Sequence, residues 1–192
     1  RRGASASAGS RLVARRAMRK TAEMSVCRQV EDAFGDRPKP RRLVESKDLV
    51  TSEQRDALWF GDRAWREVTW DDWESHHDAF YAFTPEAFAY YLPSVLCLSS
   101  KNPDRWFWPA DALMQILDRS PVVEHWDAFL STRLVGLRPA EYEALKAWLL
   151  LLTEHEANAS GEALGRAFDT VALLQSETER VRAMVGQARN KS

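Results

Sequence analysis

The sequence has no long hydrophobic run and few cysteines. No stretch approaches the ~20 consecutive apolar residues that a membrane-spanning helix needs, so we expect no membrane partner. The two cysteines, Cys27 and Cys97, lie far apart and form neither a CxxC pair nor a Cys/His zinc spacing. We therefore expect no disulfide framework, no structural metal and a reducing, cytoplasmic location.

Motifs of the common catalytic classes are also missing. The chain contains no G-x-S-x-G nucleophile turn, no Walker phosphate loop and no HExxH zinc pair. Cys97 falls on an apolar helix face, without the positive surroundings of a reactive thiol. The sequence thus predicts no cofactor and favours a protein that is not an enzyme.

Acidic residues are absent from the first twenty positions, RRGASASAGSRLVARRAMRK, which carry seven Lys and Arg. This composition is typical of a transit peptide or of translated upstream DNA. We expect residues 1–20 to be a disordered tail and favour a start-site artefact. The remaining chain has 20 Lys and Arg against 28 Asp and Glu, a net charge of −8. Such an acidic body repels phosphate backbones, so we expect no nucleic-acid partner for it.

Strand signals are nearly absent, whereas helix signals recur. There is no sustained alternation of β-branched and polar residues and no Asn-Gly or Asp-Gly turn. Capping residues or prolines mark predicted helix starts at Thr69, Thr84 and Pro139. The sequence predicts an all-α fold, with residues 21–192 forming one compact bundle of about six to eight helices.

The segment FTPEAFAYYLPSVLCLSS predicts the central helix, because it is apolar on nearly every side from Pro85 onward. Pro93 interrupts it, removes a backbone donor and clashes with the carbonyl of Ala89, so we predict a kink or a restart there. Two interpretations stay open. The kink bends the helix around the core, or it lines a pocket together with Tyr90 and Tyr91.

The decapeptide TPEAFAYYLP, with LWFGDRAWREVTWDDWESHHDAFYAF before it and LGRAFDTVALL after it, resembles an uncharacterised family of bacterial proteins, a domain of unknown function. The family hallmark is (Ser/Thr)-Pro-Glu-Ala-Phe-x-Tyr-Tyr-Leu-Pro, and the similarity covers roughly Leu49 to Leu174. The resemblance implies a small, mostly helical, cytoplasmic bacterial protein and supplies no activity or catalytic residue. One departure is Arg138 before Pro139, where a Thr cap would be expected.

Candidate ligands are densest in the segment Trp70 to Asp78. Asp72 and His76 are four residues apart and can share a divalent metal, and His77 adds a candidate general base. The segment offers no third ligand at zinc spacing, and Asp72 is also expected to close a capping box with Thr69. We interpret His77 as a hydrogen-bonded core histidine.

Tryptophans are numerous, and most fall at apolar helix positions typical of a core. Trp106 and Trp108 are different, since they lie in a predicted loop, DRWFWP, where an exposed ring favours binding. We count both among the candidate interaction residues, with Tyr90, Tyr91 and Pro93.

The last predicted helix, residues 162–187, would be roughly 40 Å long and exceeds what a small domain covers on one face. Its apolar seam runs from Leu164 to Val185 and is interrupted at Thr178. We favour packing of this seam against the N-terminal helix near Val26 and Val30. The alternative is a homodimer through the C-terminal helix.

Two classes of function remain. The absence of a complete catalytic constellation favours a non-enzymatic helical protein-interaction module with an acidic surface. Such a module would bind a basic protein partner, as an immunity or antitoxin-like factor does. The alternative is a small metal-assisted or acid/base enzyme centred on Asp72, His76 and His77.

Overall fold

The computed structural model describes residues 5–45, 51–155 and 160–189, and these residues form helices joined by loops, without a β-strand. This confirms the all-α class. The described residues contain nine α-helices, one more than the largest number expected. They are α1 (Ser5–Phe34), α2 (Ser52–Trp59), α3 (Trp70–Ser75), α4 (Ala79–Ala82), α5 (Pro85–Lys101), α6 (Trp108–Leu117), α7 (Ala128–Arg133), α8 (Pro139–Thr153) and α9 (Gly161–Arg189). In those residues we find no helix whose length and apolar character would suit a bilayer crossing.

The first helix includes most of the segment that was expected to be a disordered tail. Residues 5–20 form the first half of α1, and residues 1–4 lie outside the described part of the chain. Ala, Arg, Leu, Met and Lys dominate this half, and all of them have high helix propensity. Arg19 also donates to the carbonyl oxygen of Glu154 at 2.9 Å, which links the basic half to the end of α8.

The central helix is α5, in which thirteen of the seventeen residues are buried. Thr84 caps it by accepting from the backbone N–H of Ala87 at 3.2 Å, and Pro85 takes the first helical position, as predicted. The helix packs against α1, α6, α7 and α8. It runs without interruption through Pro93, so the chain does not restart there, and the kink at Pro93 stays a prediction.

A buried carboxylate joins the end of α1 to the start of α8. Glu141 is fully buried and accepts two hydrogen bonds from Arg37, the one from Nη2 being 2.6 Å long. It also accepts hydrogen bonds from the backbone N–H of Arg138 at 2.6 Å and from the side-chain Nε of the same residue at 3.0 Å. Arg138 in turn donates to the carbonyl of Ala33 at 2.6 Å. Glu141 therefore caps α8, compensating for the missing side-chain cap at Arg138, and ties that helix to α1.

We predict that Glu141→Ala destabilises the protein by about 3 to 5 kcal/mol, because two arginines lose their buried counter-charge. Urea denaturation measures the loss. The control is Glu143→Ala on the same helix, where an exposed carboxylate pairs with Lys146 at 3.0 Å and contributes about 0.5 kcal/mol or less. Equal losses in the two variants would contradict the role assigned to Glu141.

The C-terminal helix α9 packs within the chain, but not on the partner expected. Leu164, Val171 and Leu174 of α9 are buried, and α9 packs against α8 and α6. The N-terminal helix α1 packs against α5 and α8 instead. Thr178 does not interrupt the packing. Its buried hydroxyl lies 2.8 Å from the Tyr142 hydroxyl and accepts the N–H of Gly136 at 3.1 Å. Val181 is exposed beyond this point, and Val185 lies outside the described side chains.

We predict that a chain ending at Gln175 stays monomeric and melts at lower temperature, because Tyr142 and Gly136 lose the hydroxyl of Thr178. Sedimentation and thermal unfolding measure the two properties. A chain ending at Ala183 is the control, since it keeps Thr178 and should retain wild-type stability. A wild-type dimer that becomes monomeric on truncation at Gln175 would instead establish the homodimer.

Candidate functional site

Asp72 serves as a helix cap in the structure. Thr69 and Asp72 form the predicted capping box, with the Thr69 N–H donating to Asp72 Oδ2 at 2.8 Å and the Asp72 N–H donating to Thr69 Oγ1 at 3.2 Å. This reciprocal pair satisfies two backbone donors at the start of α3. The carboxylate that we considered as a metal ligand or catalytic group is thus engaged at the helix start.

His76 joins α3 to α2 instead of pairing with Asp72. The residue directly follows the last residue of α3, with φ −131° and ψ 42°. Its Nδ1 lies 3.2 Å from Asp56 Oδ1. The imidazole stacks on Trp59 with a centroid distance of 4.3 Å. Among the described residues, Asp72 and His76 belong to no group of three ligands close enough to hold one metal ion.

The interpretation of His77 as a core residue is wrong. Because α3 ends at Ser75 and α4 begins at Ala79, the face shared with Trp70 and Trp73 does not continue to His77. Its side chain is 48% exposed, with Nε2 at 3.5 Å from Asp78 Oδ1. The ring meets the edge of Trp108 at a centroid distance of 5.3 Å.

His77, in the turn between α3 and α4, belongs to a row of partly exposed rings that continues on α4, α6 and α7. Tyr81 contacts Trp108 at 5.7 Å and Phe129 at 5.6 Å between ring centroids, and its residue surface is 42% exposed. Trp106 lies two residues before Trp108 and is 57% exposed, which confirms its predicted exposure. Trp108 itself is half-buried and begins α6.

Carboxylates flank these rings. Asp78 adjoins His77, and Glu74 accepts from Trp70 Nε1 at 2.6 Å and from Arg105 at 3.4 Å. Burial raises the pKa of Tyr81, the Asp111 carboxylate raises it further, and Arg119 lowers it. We call this region the acid–aromatic surface; it consists of the rings of His77, Tyr81, Trp108 and Phe129, the carboxylates of Glu74, Asp78 and Asp111, and Trp106 at its margin.

The acidic surplus of the chain is concentrated in the segment that contains α2 to α4, which supplies part of this surface. Residues 51–86, which span α2 to α4, carry nine Asp and Glu against three Arg, a net charge of −6. This segment therefore supplies most of the −8 charge that follows residue 20. The acid–aromatic surface combines carboxylates with partly exposed rings, two features that attract cationic side chains, and Arg133 of the chain itself already lies over Phe129.

Tyr90, Tyr91 and Pro93 lie in the buried part of α5. The Tyr91 hydroxyl lies 2.7 Å from the carbonyl oxygen of Phe60 and 3.0 Å from that of Arg63, so it holds the loop after α2. Burial raises the pKa of Tyr91, with smaller contributions from Tyr90 and Asp62, which keeps this hydroxyl a donor. The contacts of Tyr91 match the first interpretation, in which the helix packs within the core.

A groove of about 1350 Å³ lies elsewhere, between the middle of α1 and the loop after α5. Met18, Arg19, Lys101, Asp104 and Glu154 are among its lining residues, so its charge is mixed. Behind it, the buried His155 holds Asp104 through an Nδ1 to Oδ1 distance of 2.7 Å. The two residues lie 51 positions apart, so no local sequence pattern indicates this pair.

Comparison of the chain with protein-family models, with curated proteins and with solved structures finds no match. The resemblance of TPEAFAYYLP to an uncharacterised bacterial family therefore stays a prediction. The functional argument rests on the geometry of the acid–aromatic surface.

We predict that Tyr91→Phe costs about 1 to 3 kcal/mol, because it removes the hydroxyl proton that the carbonyl oxygens of Phe60 and Arg63 share. Tyr90→Phe is the matched control, since the Tyr90 hydroxyl has no hydrogen-bond partner among the described residues, and it should cost about 0.5 kcal/mol or less. Chemical denaturation of both variants measures the difference. Similar losses would show that the contacts of Tyr91 with Phe60 and Arg63 do not hold the loop.

Proposed function

We propose that the chain is a protein-interaction module that binds a basic segment of a partner protein on the acid–aromatic surface. The observation that carries this proposal is the row of partly exposed rings, His77, Trp108, Tyr81 and Phe129, flanked by carboxylates. Aromatic residues dominate the energetics of protein interfaces, and Trp and Tyr are the most enriched among them.

The same combination already binds a cation within the chain. The guanidinium of Arg105 lies 4.2 Å from the ring centroid of Trp70 and pairs with Glu74, which itself accepts from Trp70 Nε1. A ring face together with a carboxylate is the arrangement that favours Arg, through cation–π and ionic attraction. Tyr81 with Asp111, and His77 with Asp78, offer comparable ring and carboxylate pairs to a partner.

Charge supports the same partner class. A net charge of −6 over residues 51–86 attracts a basic protein and speeds its encounter, whereas it repels the phosphates of nucleic acid. The biological role that fits such a module is neutralisation of a basic protein by an immunity or antitoxin-like factor. A cytoplasmic location is part of this proposal.

The proposal is tested with a fluorescein-labelled synthetic peptide of alternating Arg and Leu, whose binding is followed by anisotropy. We expect saturable binding that weakens with added salt, and no binding of a peptide with Glu in place of Arg. Trp106→Ala and Tyr81→Ala should each lower the affinity by about 5-fold or more, which corresponds to ~1 kcal/mol. Leu150→Ala, which removes an exposed apolar side chain of α8, is the control and should leave affinity unchanged.

A second pair of variants tests the charge. The double variant Asp78→Asn, Asp111→Asn should lower both the affinity and its dependence on salt. The double variant Asp169→Asn, Glu179→Gln changes the net charge equally on α9 and should leave both properties unaltered. Equal binding of the basic and acidic peptides, or equal losses in the two double variants, would refute the proposed surface.

A further inference from the structure

The two cysteines, separated by 70 residues, meet where α1 packs on α5. Both are buried and free, and the Cys97 sulfur lies 3.5 Å from the carbonyl oxygen of Cys27. The two sulfur atoms and a carboxylate oxygen of Glu31 all lie within 4.8 Å of one another. In the described part of the chain, this is the one group of three such residues close enough to share a metal ion.

The spacing of Cys27 and Glu31 fits tetrahedral coordination, and the other two pairs of ligand atoms lie within 4.8 Å. With zinc bonds of about 2.3 Å to sulfur and about 2.1 Å to oxygen, the edges of the tetrahedron are about 3.8 Å between two sulfurs and about 3.6 Å between sulfur and oxygen. The Cys27 sulfur lies 3.6 Å from Glu31 Oε1. Cys27 and Glu31 are four residues apart on α1, so one helix face presents both, and α5 supplies the third ligand.

The surrounding charges also suit a divalent cation. Two thiolates and one carboxylate carry three negative charges, and a divalent cation neutralises two of them. Metal ligation requires both sulfurs as thiolates, and a bound cation itself stabilises that form.

We propose that Cys27, Cys97 and Glu31 form a binding site for a thiophilic divalent cation, with Zn²⁺ as the best match. Three protein ligands leave a fourth position for water, and the exposure of Glu31 provides the route for the ion. The cation links α1 to α5 and so couples the N-terminal helix to the centre of the bundle. This site is independent of the acid–aromatic surface, which is built on other helices.

The experiment uses the full chain, reduced under anaerobic conditions, and titrates it with Co²⁺. We expect one equivalent to bind with a thiolate-to-cobalt charge-transfer band, Zn²⁺ to displace it, and Zn²⁺ to raise the melting temperature. Cys97→Ser should abolish the band. Glu31→Gln should keep the band but lower the affinity by at least ~10-fold, since even groups that only orient a ligand contribute 10 to 100-fold.

Asp32→Asn is the matched control for Glu31→Gln, because it removes an exposed carboxylate from the next position of α1 and should leave the affinity unchanged. Glu31 is exposed, so its variant keeps the fold, and circular dichroism verifies that for every variant. Three results would overturn the site: no charge-transfer band in the reduced chain, a band that persists in folded Cys97→Ser, or an equal effect of Glu31→Gln and Asp32→Asn.

Discussion

Burial of α5 on all sides is the constraint on which the rest of the structure depends. A helix with thirteen of seventeen residues buried must be covered around its whole circumference, because each large apolar side chain left in water costs about 1.5 to 3 kcal/mol. Helices α1, α6, α7 and α8 provide most of that cover, and the aromatic residues between α2 and α4 complete it. Since Pro93 sits inside an intact helix, packing stabilises α5 against the lost hydrogen bond.

Polar side chains fix how the surrounding elements are placed on α5. Trp73 Nε1 donates to Ser94 at 3.0 Å and Trp148 Nε1 donates to Ser99 at 2.8 Å, so two large rings each find a hydroxyl on the central helix. Tyr91 lies on α5 itself, and its hydroxyl holds the loop after α2 through the carbonyl oxygens of Phe60 and Arg63. Because an unpaired buried polar group is costly, these bonds favour one arrangement of the helices over others of similar apolar burial.

The two proposed sites use different parts of this framework. The acid–aromatic surface forms where α3 ends early, so that His77 turns outward and meets Trp108 instead of continuing the buried face. The thiol site forms where α1 and α5 lie side by side and bring Cys27 to Cys97. Partner binding on the acid–aromatic surface depends on exposed groups. Ion binding at the thiol site depends on the register between α1 and α5.

The sequence by itself determined the all-α class, the caps at Thr69 and Thr84, the central position of α5 and the exposure of Trp106. These features follow from residues near one another in the chain, since helical periodicity and capping act within four positions. Only the tertiary structure decided that His77 is exposed, that Thr178 anchors α9, that Glu141 meets Arg37 and that Cys27 meets Cys97. The reason is physical: contacts such as those of Glu141 and Cys97 join residues 70 to 104 positions apart, and the packing of whole helices sets their register.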